Sequence, residues 1–161
     1  MATRIRREQT ELYDADFVRW TEQQAAASRA GRVEALDLEN LAEEIESLGK
    51  RDRRRLKSRL TVLIMHLLKW SYQPGRRSGA WESTIRTQRA EVRQVLDDSP
   101  TLRREVPGVI DERYEMARRN AAAETGLPLT RFPTDCPFTV DEILAEEWLP
   151  SADRVTGRQS S

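Results

Sequence analysis

Apolar residues recur three and four positions apart along almost the whole chain, and this spacing is the strongest constraint on its fold. Such a repeat lines one face of an α-helix, whereas no segment shows the sustained alternation of a β-strand. From about Lys50 to Tyr72 the pattern is apolar on most sides in its second half, and it ends before Pro74. A helix of this kind is typical of the centre of a bundle. The sequence therefore predicts an all-α, single-domain bundle of about six helices with no β-sheet.

Cap and turn residues predict where the helices begin and end. We expect the first helix to run from Asp14, as its N-cap, to Ala30, with Gly31 as a left-handed stop. A second helix, residues 37–49, should end at Gly49, and its apolar face is formed by Leu38, Leu41, Ala42, Ile45 and Leu48. A later helix is predicted from Ser78 to about Asp97, and a short one begins at Ser99-Pro100 and is broken by Pro107-Gly108. A further helix then runs to about Glu124, and a last one runs from Thr139 to Trp148. Residues 127–137 are expected to be extended surface.

Composition restricts the class of protein. The chain is 38% hydrophobic and 34% charged, enough for one ordinary core. Its one cysteine, Cys136, excludes an internal disulfide, and the run from Leu60 to Leu68 is too short to span a bilayer. We expect a soluble, cytoplasmic, Arg-rich bacterial protein that does not enter a membrane. Residues 1–10 are predicted to be an N-terminal arm, residues 11–150 the helical domain, and residues 151–161 a flexible tail.

The net charge of zero hides strong segregation along the chain. Residues 1–49 carry six Arg and eleven acids, a balance of −5, while residues 50–94 carry thirteen Lys and Arg and three acids, a balance of +10. Residues 95–161 carry eight Arg and thirteen acids, again −5. Either the acidic flanks fold back on the basic centre, or the basic helices keep an open face for a polyanion. The sequence leaves both interpretations open.

Glu39, Glu43 and Glu46 form an acidic ridge at positions i, i+4 and i+7 of a helix. Like charges at such spacings repel, so we expect ion pairing within or between molecules, with a solvated face or a metal site as alternatives. The weak candidate metal ligands are Glu43, Glu46 and His66. The only histidine, His66, is more typical of a neutral, hydrogen-bonded residue at the core border, with Gln88 as one candidate partner. No catalytic residue and no cofactor site is identified, since any triad base would have to be His66.

The best candidate for a binding surface is the loop that joins the two basic helices. Aromatic rings beside guanidinium groups are the chemistry that holds nucleic-acid bases and backbones. In the alternative interpretation the tryptophans pin the hairpin to the core and the arginines are solvated. The candidate binding residues are Trp70, Arg76, Arg77 and Trp81 in and around the loop, continued along the next helix by Arg86, Arg89 and Arg93.

Several motifs together resemble a bacterial family catalogued as domain of unknown function twenty-nine. They are Leu12–Phe17, Leu41–Lys50, His66–Trp70, Trp81 with Ile85–Arg89, Ser99-Pro100 and Phe132–Phe138, and they cover about residues 10–150. The resemblance implies an all-helical bacterial domain and no established activity. It also implies that Glu43, Glu44, Glu46, His66, Trp70, Gln88 and Arg89 belong to the family pattern, without a catalytic role for any of them.

Three functional hypotheses follow. The first is a non-enzymatic protein-interaction module whose basic helix pair meets an acidic partner or a second copy. The second is a nucleic-acid-binding or regulatory protein that uses the basic helices of residues 50–94. The third is a metal-dependent enzyme with a site at Glu43, Glu46 and His66.

Overall fold

A computed structural model describes residues 1–152, and all side chains in that range except those of residues 2, 3, 5 and 6. Within residues 1–152 there are six α-helices and no β-strand, which confirms the predicted all-α class. The helices are α1 (Ala2–Ala15), α2 (Phe17–Arg29), α3 (Leu38–Tyr72), α4 (Gly79–Asp98), α5 (Val106–Thr125) and α6 (Val140–Leu144). Short 3-10 helices lie at Val33–Ala35, Pro74–Arg76, Pro100–Glu105 and Leu129–Arg131.

The chain forms two compact units, an N-terminal unit of residues Met1–Arg51 and a second unit that begins at Asp52. Most of the predicted N-terminal arm, residues 1–10, has helical backbone because α1 begins at Ala2. The predicted tail, residues 151–161, lies outside the described residues from position 153 onward.

The start of the first predicted helix was wrong. Asp14 lies within α1, and the chain breaks at Asp16, whose extended φ of −152° interrupts the helix. The Asp16 side chain accepts a hydrogen bond from the backbone N–H of Arg19 at 3.1 Å, so Asp16 is the N-cap of α2. The predicted stop is confirmed, since Gly31 has a φ of +67°.

One further predicted break does not occur, and another lies two residues earlier than expected. Gly49 has no positive φ, and α3 continues through it as one helix of 35 residues where two helices were expected. A glycine inside a helix costs only about 1 kcal/mol relative to alanine, which the apolar burial further along α3 outweighs. The short helix expected from Ser99-Pro100 is the 3-10 helix that ends at Glu105. Pro107 itself lies in the first turn of α5, where its missing N–H has no partner to lose.

The N-terminal unit has a small core. Among its described side chains only Trp20 and Ala27 are buried and apolar, and the rings of Tyr13 and Trp20 pack edge to face at 4.9 Å. The other buried side chains are polar. Gln24 accepts a hydrogen bond from the backbone N–H of Asp37 at 2.7 Å and donates one to Gln9 at 2.8 Å. Polar contacts therefore carry much of the packing between α2 and the start of α3.

The second unit contains the large apolar core. The predicted central stripe is confirmed, since Leu60, Leu63 and Leu67 on α3 have no exposed surface. Residues 127–137, expected as extended surface, instead contain a 3-10 turn and the buried Phe132, which joins this core. Other elements contribute Ile85, Val92 and Val95 from α4, Ile110, Tyr114 and Ala117 from α5, and Ile143 from α6.

The last helix begins as predicted and ends earlier. Thr139 accepts a hydrogen bond from the backbone N–H of Glu142 at 3.2 Å, and the Glu142 side chain accepts one from the backbone N–H of Thr139 at 3.0 Å. These two bonds form the expected capping box. However, α6 ends at Leu144 rather than at Trp148.

Replacing Leu63 with alanine should lower the free energy of unfolding by about 2–5 kcal/mol, because it opens a cavity at a fully buried position. Chemical denaturation followed by circular dichroism measures this change. Met116→Ala, at an exposed apolar position of the same unit, is the matched control and should shift stability by less than about 0.5 kcal/mol. Equal effects of the two variants would contradict the assignment of the core.

Candidate interaction surface

The aromatic rings of the predicted binding loop are occupied by neighbouring cations of the same chain. The Arg77 guanidinium lies 5.1 Å from the centre of the Trp70 ring, and its Nε donates a hydrogen bond to the Trp70 carbonyl at 2.9 Å. The Lys69 ammonium lies 4.6 Å from the centre of the Trp81 ring and 2.6 Å from a carboxylate oxygen of Glu124. Each ring face used in this way is not available to stack on a nucleic-acid base.

Arg89 points inward, although the sequence placed it on a basic ridge. Its side chain is 3% exposed and donates hydrogen bonds to the carbonyl oxygens of Glu142 at 3.1 Å, Ile143 at 2.9 Å and Glu146 at 3.2 Å. Burial lowers the pKa of this guanidinium below its ordinary value. The planar fork of an arginine suits this task because its several donors reach separate acceptors at once. Arg89 therefore holds the C-terminal end of α6 against α4.

The remaining candidate residues lie at the surface. Arg86 pairs with Glu82 at 3.3 Å, and Arg93 pairs with Glu146 at 3.1 Å, both in exposed positions where ion pairs contribute little. The side chain of Arg76 is exposed and makes no hydrogen bond or ion pair within residues 1–152. The structure thus gives six of the seven predicted binding residues a contact inside the chain. Binding through them stays a prediction.

The acidic C-terminal flank folds back on the basic centre, as the first interpretation of the charge pattern expected. On α3, Arg53 lies 3.1 Å from Glu105 and Lys57 lies 2.9 Å from Glu112. Two further bases of residues 50–94 pair with this flank, namely Lys69 with Glu124 and Arg93 with Glu146. These four pairs offset part of the positive charge of residues 50–94 within the second unit.

His66 makes its hydrogen bond within its own helix. The ring Nδ1 lies 2.9 Å from the Val62 carbonyl oxygen, which can only accept, so this nitrogen donates. Burial lowers the pKa of His66 below its usual value. Gln88, the expected partner, instead has a buried side-chain oxygen without a partner among the described residues.

The candidate metal ligands are not assembled. Glu43 and Glu46 lie more than five turns before His66 on the same continuous helix, at about 3.6 residues per turn. Within the part of the chain that the structure describes, no group of three or more His, Cys, Asp or Glu side chains could hold a metal ion.

A groove with a volume of about 610 Å³ lies between α5 and residues 134–140. Ile110 and Phe138 give it apolar walls, and Asp111 and Asp135 give it negative charge. Burial raises the pKa of the Cys136 thiol in this groove, and a raised pKa keeps the thiol protonated. The Cys136 thiol is therefore held in its less nucleophilic, protonated form.

Most of the apolar face predicted for residues 37–49 is exposed in the N-terminal unit. Leu38, Ile45 and Leu48 are 57%, 66% and 51% exposed, and Leu41 between them is half-buried. We call these four residues of α3 the apolar stripe. This apolar face is left uncovered because the contacts of α1 and α2 with this part of the chain involve other positions. Tyr13 donates a hydrogen bond to Glu44 at 2.6 Å, and Gln24 accepts one from the Asp37 backbone.

The acidic ridge lies on the side of α3 that faces away from the apolar stripe, and it is open to solvent. Glu39 and Glu43 make no ion pair with any described residue, and Glu46 makes only a long contact of 3.8 Å with Lys50. At about 100° per residue, the small residues Ala42 and Gly49 lie between the stripe and the ridge. The ridge is nevertheless centred more than a third of a turn away from the stripe, so a helix that rests on the stripe does not meet the ridge.

These features define a class of protein: all-α, with a well-packed second unit and an N-terminal unit that exposes an apolar helix face. The chain belongs to the family described as Domain of unknown function DUF29, whose model matches residues 12–149, and the resemblance seen in the sequence is confirmed. No curated protein and no solved structure matches the chain. Among the described residues, no helix is both long enough and apolar enough to cross a membrane.

Arg89→Lys should lower the free energy of unfolding by about 2–4 kcal/mol, because a lysine cannot satisfy three separated carbonyls and leaves buried acceptors unpaired. Urea denaturation of the whole chain measures the change. Arg86→Lys, which alters an exposed pair on the same helix, is the matched control and should stay within about 0.5 kcal/mol of the parent. Equal unfolding free energies for the two variants would show that Arg89 does not hold α6 against α4.

His66 should make the protein less stable as the pH falls. The pKa of His66 is lower in the folded state than in the unfolded chain, so the unfolded state takes up the proton first as the pH falls. The contribution of His66 to stability is therefore complete above about pH 6.5 and declines below it. Unfolding free energies of the parent and of His66→Gln between about pH 8 and 5 isolate this contribution. The parent should lose stability relative to the variant on acidification; a constant difference would refute the assignment.

Proposed function

We propose that this protein is a protein-interaction module whose N-terminal unit receives a helix of another polypeptide on the apolar stripe. The observation that carries the proposal is the exposure of Leu38, Ile45 and Leu48 on one face of α3. Scattered single apolar residues at a surface are ordinary, but a contiguous exposed row is typical of an interaction site. Burying one such side chain contributes about 1.5–3 kcal/mol, so covering the stripe is a substantial driving force.

The distribution of exposed apolar side chains supports the same conclusion. Of the eight large apolar side chains that are exposed in the described part of the chain, seven lie within residues 1–48 and one, Met116, lies elsewhere. The N-terminal unit has few buried apolar residues, and small units usually need a partner or another form of support. An interface here would supply the apolar burial that this unit lacks.

The spacing of the stripe favours a helix as the occupant. Its residues follow one another at intervals of three, four and three, which is the a/d pattern of a coiled-coil seam. Ala42 and Gly49 beside the stripe allow the backbone of a neighbouring helix to approach closely. A β-strand or an irregular loop would not match this periodicity.

The geometry supports this surface more strongly than the basic helices. Trp70 and Trp81 are capped by Arg77 and Lys69, and Arg89 is buried, so the predicted nucleic-acid ridge is largely used inside the chain. We therefore base the proposal on the N-terminal unit and propose no catalytic role.

Position-specific photocrosslinking tests the proposal. A photoreactive amino acid placed at Ile45 should give one discrete adduct in cells of the source organism, since that side chain lies in the middle of the stripe. The same amino acid at Met116, which is also exposed and apolar, is the control and should not give that adduct. The absence of an adduct from position 45, or the same adducts from both positions, would overturn the proposal.

A further inference from the structure

We propose that the groove between α5 and residues 134–140 is a binding site for a small organic cation, an ammonium group carried on an apolar body. The groove lies within the second unit, so the proposal is independent of the interaction proposed for the N-terminal unit. It rests on three properties of the groove: its size, the charge of the side chains that line it, and the aromatic rings in its walls.

The size and the walls of the groove suit a small molecule. Its volume of about 610 Å³ lies within the range of about 300–1,000 Å³ that is typical of small-molecule sites. Ile110, Tyr114 and Phe138 line it and also belong to the apolar core, with only 4%, 4% and 8% of their surface exposed. Core packing therefore holds these walls in place. A partner protein would need a contact area of about 800 Å² on this chain, which extends well beyond one groove.

The charged side chains that line the groove are all acidic. They are Asp111, Glu115 and Asp135, and no Lys, Arg or His is among the described residues that line it. Glu115 is engaged by Arg118 at 3.3 Å and by Arg119 at 2.9 Å. The side chains of Asp111 and Asp135 make no hydrogen bond or ion pair with any described residue. Because a cleft lined by one sign of charge and by apolar walls focuses its field, the groove should attract a cation and repel an anion.

Two aromatic rings in the groove, those of Tyr114 and Phe138, also favour a cation. The electron-rich face of an aromatic ring attracts a positive charge, and rings of this kind recognise ammonium groups in many sites. The rings of Trp70 and Trp81 already hold cations of the chain itself, whereas no cation among the described residues lies over Tyr114 or Phe138. The Tyr114 hydroxyl donates a hydrogen bond to the Pro133 carbonyl oxygen at 2.7 Å, which fixes the position of its ring.

Three ligands that share a hexyl chain test the proposal: n-hexylammonium, 1-hexanol and hexanoate. Backbone amide shifts of the whole isotope-labelled chain, measured by NMR, report both the affinity and the location of each ligand. We expect n-hexylammonium to shift amides of residues 107–115 and 134–140 and to bind at least about tenfold more tightly than 1-hexanol at about 50 mM NaCl, with hexanoate the weakest. The preference for the cation should shrink at about 500 mM NaCl because salt screens exposed charges.

Three variants locate the binding. The double variant Asp111→Asn and Asp135→Asn should lose most of the preference for n-hexylammonium while it still binds 1-hexanol. The matched control, Glu112→Gln with Asp141→Asn, removes two exposed carboxylates of the same unit that do not line the groove, and it should keep the preference. Thr134→Arg places a cation at the groove and should abolish binding of n-hexylammonium. All five positions are exposed, so thermal unfolding should confirm that each variant keeps its fold.

Several results would overturn the proposal. They are equal affinities for n-hexylammonium and 1-hexanol, shifts confined to residues outside the groove, a preference that the double variant retains, and no binding of n-hexylammonium at about 20 mM. A blocked Gly-Lys-Gly peptide tests the other source of the same chemistry. Tighter binding of this peptide than of n-hexylammonium would overturn the assignment to a small molecule in favour of a lysine side chain of a polypeptide.

Discussion

The burial of the C-terminal half of α3 is the constraint on which the second unit depends. Leu60, Leu63 and Leu67 are fully buried, and α4, α5 and α6 pack around them. Burial at this level is what allows Gly49 to be kept inside a long helix at its small cost. It also fixes which faces of α4 and α5 point inward, and hence where their charged residues meet those of α3.

Arginine is used in this chain as an internal connector as well as a surface charge. Arg89 binds three carbonyl oxygens at the end of α6, and Arg118 binds those of Phe132 and Leu129. Irregular segments leave backbone acceptors without regular partners, and a planar fork with several donors can satisfy them together. The same residue type in exposed pairs such as Arg86–Glu82 contributes little. Burial, not charge, separates the two roles.

The two units differ in how completely they are packed. The second unit buries its apolar residues, whereas the N-terminal unit buries only Trp20 and Ala27 among its described apolar side chains and exposes the apolar stripe. The buried polar network around Gln24 fixes the start of α3 without covering the stripe. This contrast explains why we place the interaction on the N-terminal unit, although the basic loop was the more conspicuous feature of the sequence.

The sequence by itself determined the all-α class, the central stripe of α3 and caps such as Gly31 and Thr139, because these depend on periodicity and local hydrogen bonding. It could not show that Arg89 is buried or that the apolar stripe is exposed. An amphipathic pattern states that a helix has an apolar face, not whether another part of the chain covers that face. Only the tertiary structure decided this, because coverage depends on which residues distant in sequence come into contact.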